Sequence, residues 1–122
     1  MKYSRILVSI GTEKIEECVA FYQKVFGYQP RVYKKSVYSE FDFQGLTLAI
    51  FKPRLADEEN FSNSNKSNGL SICLQVENLE SVIVELKNLG NLLISQIKED
   101  SNMKEIYVYD PGGNRIIFYQ YK

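Results

Sequence analysis

Residues 5–10 alternate, with Ile6, Val8 and Ile10 pointing one way and Arg5, Leu7 and Ser9 the other, which is the period of a half-buried strand. At Thr12 the period changes. Ile15, Cys18, Val19, Tyr22, Val25 and Phe26 recur every three or four residues, which lines them along one face of a helix with Glu13 and Glu16 near its positive N-terminal end. Thr12 is the expected N-cap, and Gly27 the expected C′ residue, since glycine takes the left-handed conformation that ends helices. Strand-like runs at 29–34, 37–43 and 46–52, broken by short turns at 35–36 and 44–45, predict an antiparallel meander.

Residues 55–68 are polar and, apart from Phe61, almost without large apolar side chains, so they read as a linker that burial does not order. After it the first pattern returns. Leu70, Ile72, Leu74 and Val76 alternate with Ser71, Cys73 and Gln75; Asn78 caps a helix with Leu79, Val82, Ile83 and Leu86 on its buried face; Gly90 ends it. Strands at 92–97, 105–109 and 115–121 complete the half. Thr12 matches Asn78 and Gly27 matches Gly90, so the chain is two βαβββ repeats, 1–54 and 69–122, joined by the linker 55–68. One repeat is too small to close a core, because its helix covers only one face of its sheet. The expected fold is therefore α+β, a single domain in which the repeats form a curved mixed sheet with helices outside and a concave cup inside.

Composition narrows the chemistry. Fifteen basic residues balance fifteen acidic ones, so no summed field attracts nucleic acid or an anionic membrane surface. No apolar run approaches the ~20 residues of a membrane span, and the start has no signal-peptide core, which predicts a cytoplasmic protein with Cys18 and Cys73 as free thiols. The chain contains no histidine, which removes the commonest general base and the commonest nitrogen ligand of transition metals.

Two stretches carry a family resemblance. Residues 18–28 (CVAFYQKVFGY) resemble the first helix, and residues 109–120 (YDPGGNRIIFYQ) the last hairpin, of the glyoxalase, bleomycin-resistance and extradiol-dioxygenase superfamily, also called the vicinal oxygen chelate superfamily. Residues 76–80 (VENLE), before the second helix, fit the same pattern. The resemblance covers almost the whole chain and implies the repeat architecture already read from the periodicity. It also implies a homodimer, and a metal held by inward-facing histidine and glutamate in the members that use one. Carried over, those positions fall on Arg5 or Leu7, on Ala49, on Ser71 and on Ile117, none of which is the carboxylate, imidazole or thiolate a divalent metal wants. No metal and no cofactor is therefore expected.

Strand parity lines the expected cup with Arg5, Leu7, Ser9, Thr47, Ala49 and Phe51 from the first repeat. From the second come Ser71, Cys73, Tyr107, Tyr109, Arg115, Ile117 and Tyr119. Aromatic walls, small side chains and two permanent cations are the usual make-up of a small-molecule pocket. Arg5 and Arg115 would suit a planar carboxylate or a phosphate, or would serve as structural partners of Glu40, Asp42 or Glu105. Cys73 is expected to be buried and inert, and the Asp-Pro-Gly-Gly-Asn turn at 110–114 is explained by turn chemistry alone. The predicted function is metal-free binding of a small aromatic or acidic molecule without catalysis. Bleomycin is a cation and its binding proteins are acidic, so a neutral chain with inward arginines points to another ligand. The alternative is a metal-dependent lyase, isomerase or dioxygenase-like enzyme using Glu40, Asp42 or Glu105 as oxygen ligands.

Overall fold

A computed structural model describes residues 1–61, 69–90 and 92–122, so residues 62–68 of the expected linker lie outside the described part. The chain divides into two compact units, Met1–Ser62 and Asn63–Lys122. In the first, β1 (Val8–Gly11), α1 (Ile15–Phe26), β2 (Val32–Lys34), β3 (Tyr38–Phe43) and β4 (Leu46–Phe51) build a sheet of order β1-β4-β3-β2. The second contains β5 (Ile72–Gln75), α2 (Leu79–Asn88), β6 (Leu93–Ile94), β7 (Lys98–Glu99), β8 (Met103–Tyr109) and β9 (Arg115–Tyr121), in the order β5-β9-β8-β6 with β7 also on β8. Both sheets place the first strand parallel to the last, and every other pairing is antiparallel. A parallel neighbour demands a crossover, and the helix supplies it in each unit. The βαβββ repeat is thus real, and the α+β class with it.

Local chemistry explains the helix ends. Gly27 adopts φ 82° and its N–H donates to the Gln23 carbonyl at 2.9 Å, closing α1 where a side chain would be strained. Asn78 accepts the Ser81 N–H at 2.9 Å, capping α2 as expected. Thr12 is not the cap of α1. Its hydroxyl accepts the Lys14 N–H at 3.0 Å in a turn before the helix, which begins at Ile15 without a side-chain cap. Gly90 falls beyond the end of α2, where Leu89 is still right-handed and Gly90 carries φ 132°.

The helix face packs as the periodicity requires. Cys18 and Tyr22 of α1 are fully buried, as are Phe41, Leu48 and Ile50 of the sheet beneath. The Tyr22, Phe26, Phe41 and Phe43 rings meet at 4.1–6.5 Å between centroids. In the second unit Leu79, Ile106, Val108 and Ile116 are fully buried, with Leu86 and Phe118 nearly so. Burial of each such side chain is worth about 1.5–3 kcal/mol, so these faces dominate stability.

Three expectations need correction. The strand expected over 5–10 begins only at Val8, and Ile6 is 79% exposed. The parallel register sets Val8 opposite Leu48, so extending it backwards brings Ile6 to Leu46, the first residue of β4, and leaves Arg5 without a ladder partner. The strand expected over 92–97 is the two-residue β6 followed by a separate β7. Within the expected linker, Leu55–Phe61 is a 3₁₀ helix rather than unordered chain. Among the described residues no helix is long and apolar enough to cross a membrane.

Candidate functional site

Each helix covers one sheet face, and the candidate site residues occupy the other. In the first unit Phe41 and Phe43 touch α1, and their register with Leu48 and Leu46 sets the parity of the whole sheet. Ser9, Thr47, Ala49 and Phe51 therefore share the helix-free face, joined by Tyr38, Glu40 and Asp42. Leu7, directly before β1, is half-buried, and Ala49 is only 1% exposed.

Glu40 is the centre of that face. Its side chain is 6% exposed, and its carboxylate accepts from Arg5 Nη1 at 3.2 Å and Nη2 at 2.5 Å, from Arg31 Nη2 at 2.5 Å and from the Tyr38 hydroxyl at 2.5 Å. The Arg5 bonds, then the Tyr38 bond, hold its pKa at about 2 against the opposing effect of burial. Arg31 also pairs with Asp42, whose Oδ1 accepts the Thr47 hydroxyl at 2.9 Å. Arg5 is consequently not a cation waiting for a ligand. It is an off-strand arginine bound in a bidentate pair to Glu40, one of the structural partners anticipated for it.

In the second unit two contacts orient the sheet. Gln120 Oε1 accepts the Leu79 N–H at 2.6 Å, and Lys104 Nζ lies 2.6 Å from Glu80, so the even-numbered residues of β8 and β9 face α2. Cys73, Tyr107, Tyr109, Ile117 and Tyr119 share the opposite face with Arg115, and the registers Cys73–Ile117–Tyr107 and Tyr109–Arg115 set them in rows. Arg115 Nε donates to the Ser71 hydroxyl at 2.6 Å, which fixes Ser71 beside it. The guanidinium carbon of Arg115 lies 5.4 Å from the Tyr107 ring centroid, and Lys98 Nζ lies 5.1 Å from the same centroid. Two cations thus approach one ring from the strands on either side of β8. Tyr119 packs edge-on to Tyr121 at 5.6 Å. Cys73 is exposed rather than buried, because its side chain lies on the face that α2 leaves uncovered.

The Asp-Pro-Gly-Gly-Asn turn performs the structural task assigned to it. Asp110 Oδ1 accepts the backbone N–H of Gly112 at 2.8 Å and of Asn114 at 2.9 Å, which aligns β8 with β9 and brings Arg115 opposite Tyr109.

No family model matches this sequence, and no curated protein matches it either. Solved structures do. A lactoylglutathione lyase from Agrobacterium tumefaciens superimposes with a TM-score of 0.69 at 17% identity, covering 98% of this chain and 96% of its own. A glyoxalase/bleomycin resistance protein from Catenulispora acidiphila gives 0.68 at 18% identity, over 94% and 96% of the two chains. A fosfomycin resistance protein from Mesorhizobium loti gives 0.70 at 14% identity, over 98% and 93%. The chain has the fold of the vicinal oxygen chelate superfamily.

The metal that this superfamily's name implies does not fit the residues here. Ala49 on β4 and Ile117 on β9 have no donor atom, Ser71 spends its hydroxyl on Arg115, and neither Leu7 nor the Glu40-bound Arg5 is a ligand for a divalent cation. Among the described residues no group of three or more histidine, cysteine, aspartate or glutamate side chains is placed to hold a metal ion. Within the vicinal oxygen chelate fold, Lys98 is one candidate site residue that sequence reasoning missed. The expected strand ended at 97 and left Lys98 outside it, whereas a separate β7 begins at Lys98, pairs it with Glu105 and sets it over Tyr107. Arg31 and Tyr38 were missed for different reasons. Tyr38 shares a strand face with Glu40 two residues on, a signal the alternation carried and the site reading did not use, whereas Arg31 reaches Glu40 over nine positions and nothing local in the sequence pairs them.

Proposed function

We propose that this chain binds a small aromatic or acidic molecule, without a metal and without transforming it, on the helix-free face of its second unit. The observation that supports this is the Tyr107 ring flanked by Lys98 and Arg115, with the Ser71 hydroxyl held against Arg115. A pair of cations beside a ring favours a ligand that is itself flat and negatively charged, because the carboxylate meets the guanidinium or ammonium while its ring packs against the tyrosine edge. Structures of similar fold bear the names of a lyase and of two drug-resistance proteins, so the fold alone does not choose between catalysis and binding. A carboxylate-metal enzyme has less support, since Glu40 and Asp42 are already taken up by Arg5, Arg31, Tyr38 and Thr47.

Thermal denaturation with 4-hydroxybenzoate tests the proposal. A ligand at one hundred times its Kd stabilises the native state by about 2.7 kcal/mol, so the midpoint rises with concentration, and the rise shrinks in Lys98→Ala and Tyr107→Leu. Recovery of the probe unchanged is expected. Conversion of the probe, or a midpoint that responds identically in the wild type and both variants, overturns this reading.

A further inference from the structure

The 3₁₀ helix Leu55–Phe61 occupies part of a stretch that, by composition, has no reason to order itself. One ring holds it. Phe61 packs edge-on against Phe51 at 5.1 Å between centroids and an interplanar angle of 81°, while Leu55 at the other end is 83% exposed. The floor beneath Phe61 is Gly11, paired with Phe51 at the end of β1. A Cβ at Gly11 would stand 2.6 Å from Cδ1 and 2.7 Å from Cγ of Phe61, and 2.9 Å from Cζ of Phe51. Gly11 is not among the residues with positive φ, so the backbone does not demand glycine there. The space demands it. A strand glycine of this kind marks a close approach, and here what approaches is a phenyl ring.

The seat is built for a ring but weakly closed. A 3₁₀ run of seven residues is longer than this geometry usually sustains, and its hydrogen bonds are poorer than those of an α-helix. Phe61 remains 39% exposed in the seat. The carboxyl of Glu58, on the same short helix, has its pKa raised by burial and by its bond to Glu13.

We infer that the notch formed by Gly11 and Phe51 is a binding seat for an uncharged, single-ring aromatic group, filled in this structure by the chain's own Phe61, which leaves when a ligand ring enters. The floor is peptide backbone and one wall is an aromatic edge. This seat lies in the first unit; it shares Phe51 with the expected cup but none of the second-unit residues on which the binding reading above rests, and does not depend on that reading.

The full chain, titrated with benzyl alcohol and followed through its backbone amide NMR spectrum, tests the inference. Phe61→Ala is expected to bind the probe saturably, with shifts centred on Gly11 and Phe51 and an affinity at least ten-fold above the wild type, whose own ring competes. Adding Gly11→Ala to that variant fills the seat with a methyl group and abolishes the shifts. In the wild type, saturating benzyl alcohol should also speed chymotrypsin cleavage after Phe61, a readout that needs no variant to fold. Equal affinity in wild type and Phe61→Ala, an absence of shifts at Gly11 and Phe51, or a cleavage rate indifferent to the probe each overturns the inference.

Discussion

Replacing Glu40 by glutamine keeps the shape of the side chain and removes the charge on which Arg5 and Arg31 converge. A carboxyl whose pKa falls from 4.5 to about 2 on folding contributes at most about 3 to 4 kcal/mol at neutral pH, taking 1.36 kcal/mol per pH unit. The two arginine side chains are 47% and 53% exposed, so solvent screening brings the expected loss in Glu40→Gln to about 1–2 kcal/mol. The sign of the pH dependence follows from the lowered pKa. The contribution is complete above pH 4.5 and is lost as pH falls toward 2, with more than half of it gone by about pH 3. Urea unfolding of both proteins at pH 7 and at pH 3 measures this directly. The wild type should be the more stable at pH 7, and the gap should narrow to less than half at pH 3. A gap of the same size at both values would refute the reasoning, because a loss of packing does not titrate. No gap at pH 7 would show that the two arginines find equivalent partners in solvent.

Two further outcomes follow from the backbone bonds. Asn78→Ala removes the N-cap bond to the Ser81 N–H of α2 and should lower the urea midpoint by the equivalent of about 1 kcal/mol, whereas Thr12→Ala, although Thr12 is buried, removes no helix cap and should leave the helical signal of α1 intact. Asp110→Ala strips the acceptor from the Gly112 and Asn114 amides and should destabilise by about 2 kcal/mol in the same assay, with exchange of the β8 and β9 amides accelerated next to the turn.

Much of this molecule is legible before folding. The change from a period of two to a period near 3.6 at Thr12, and again at Asn78, reveals the repeat, and side-chain alternation assigns Ala49, Phe51, Tyr107, Arg115 and Ile117 to the face that the helices leave uncovered. Those properties are local. They depend on backbone geometry that every residue shares with its neighbours, and the absence of histidine is a plain fact of composition. What folding alone decides is which side chains meet across strands distant in sequence. Arg5 pairs with Glu40 over 35 positions and Arg115 meets Ser71 over 44, and no periodicity encodes the choice between these partners and a ligand. The same holds for Phe61, whose ring finds the bare backbone of Gly11 because β1 and β4 end side by side, a fact of register that becomes visible only once the sheet has formed.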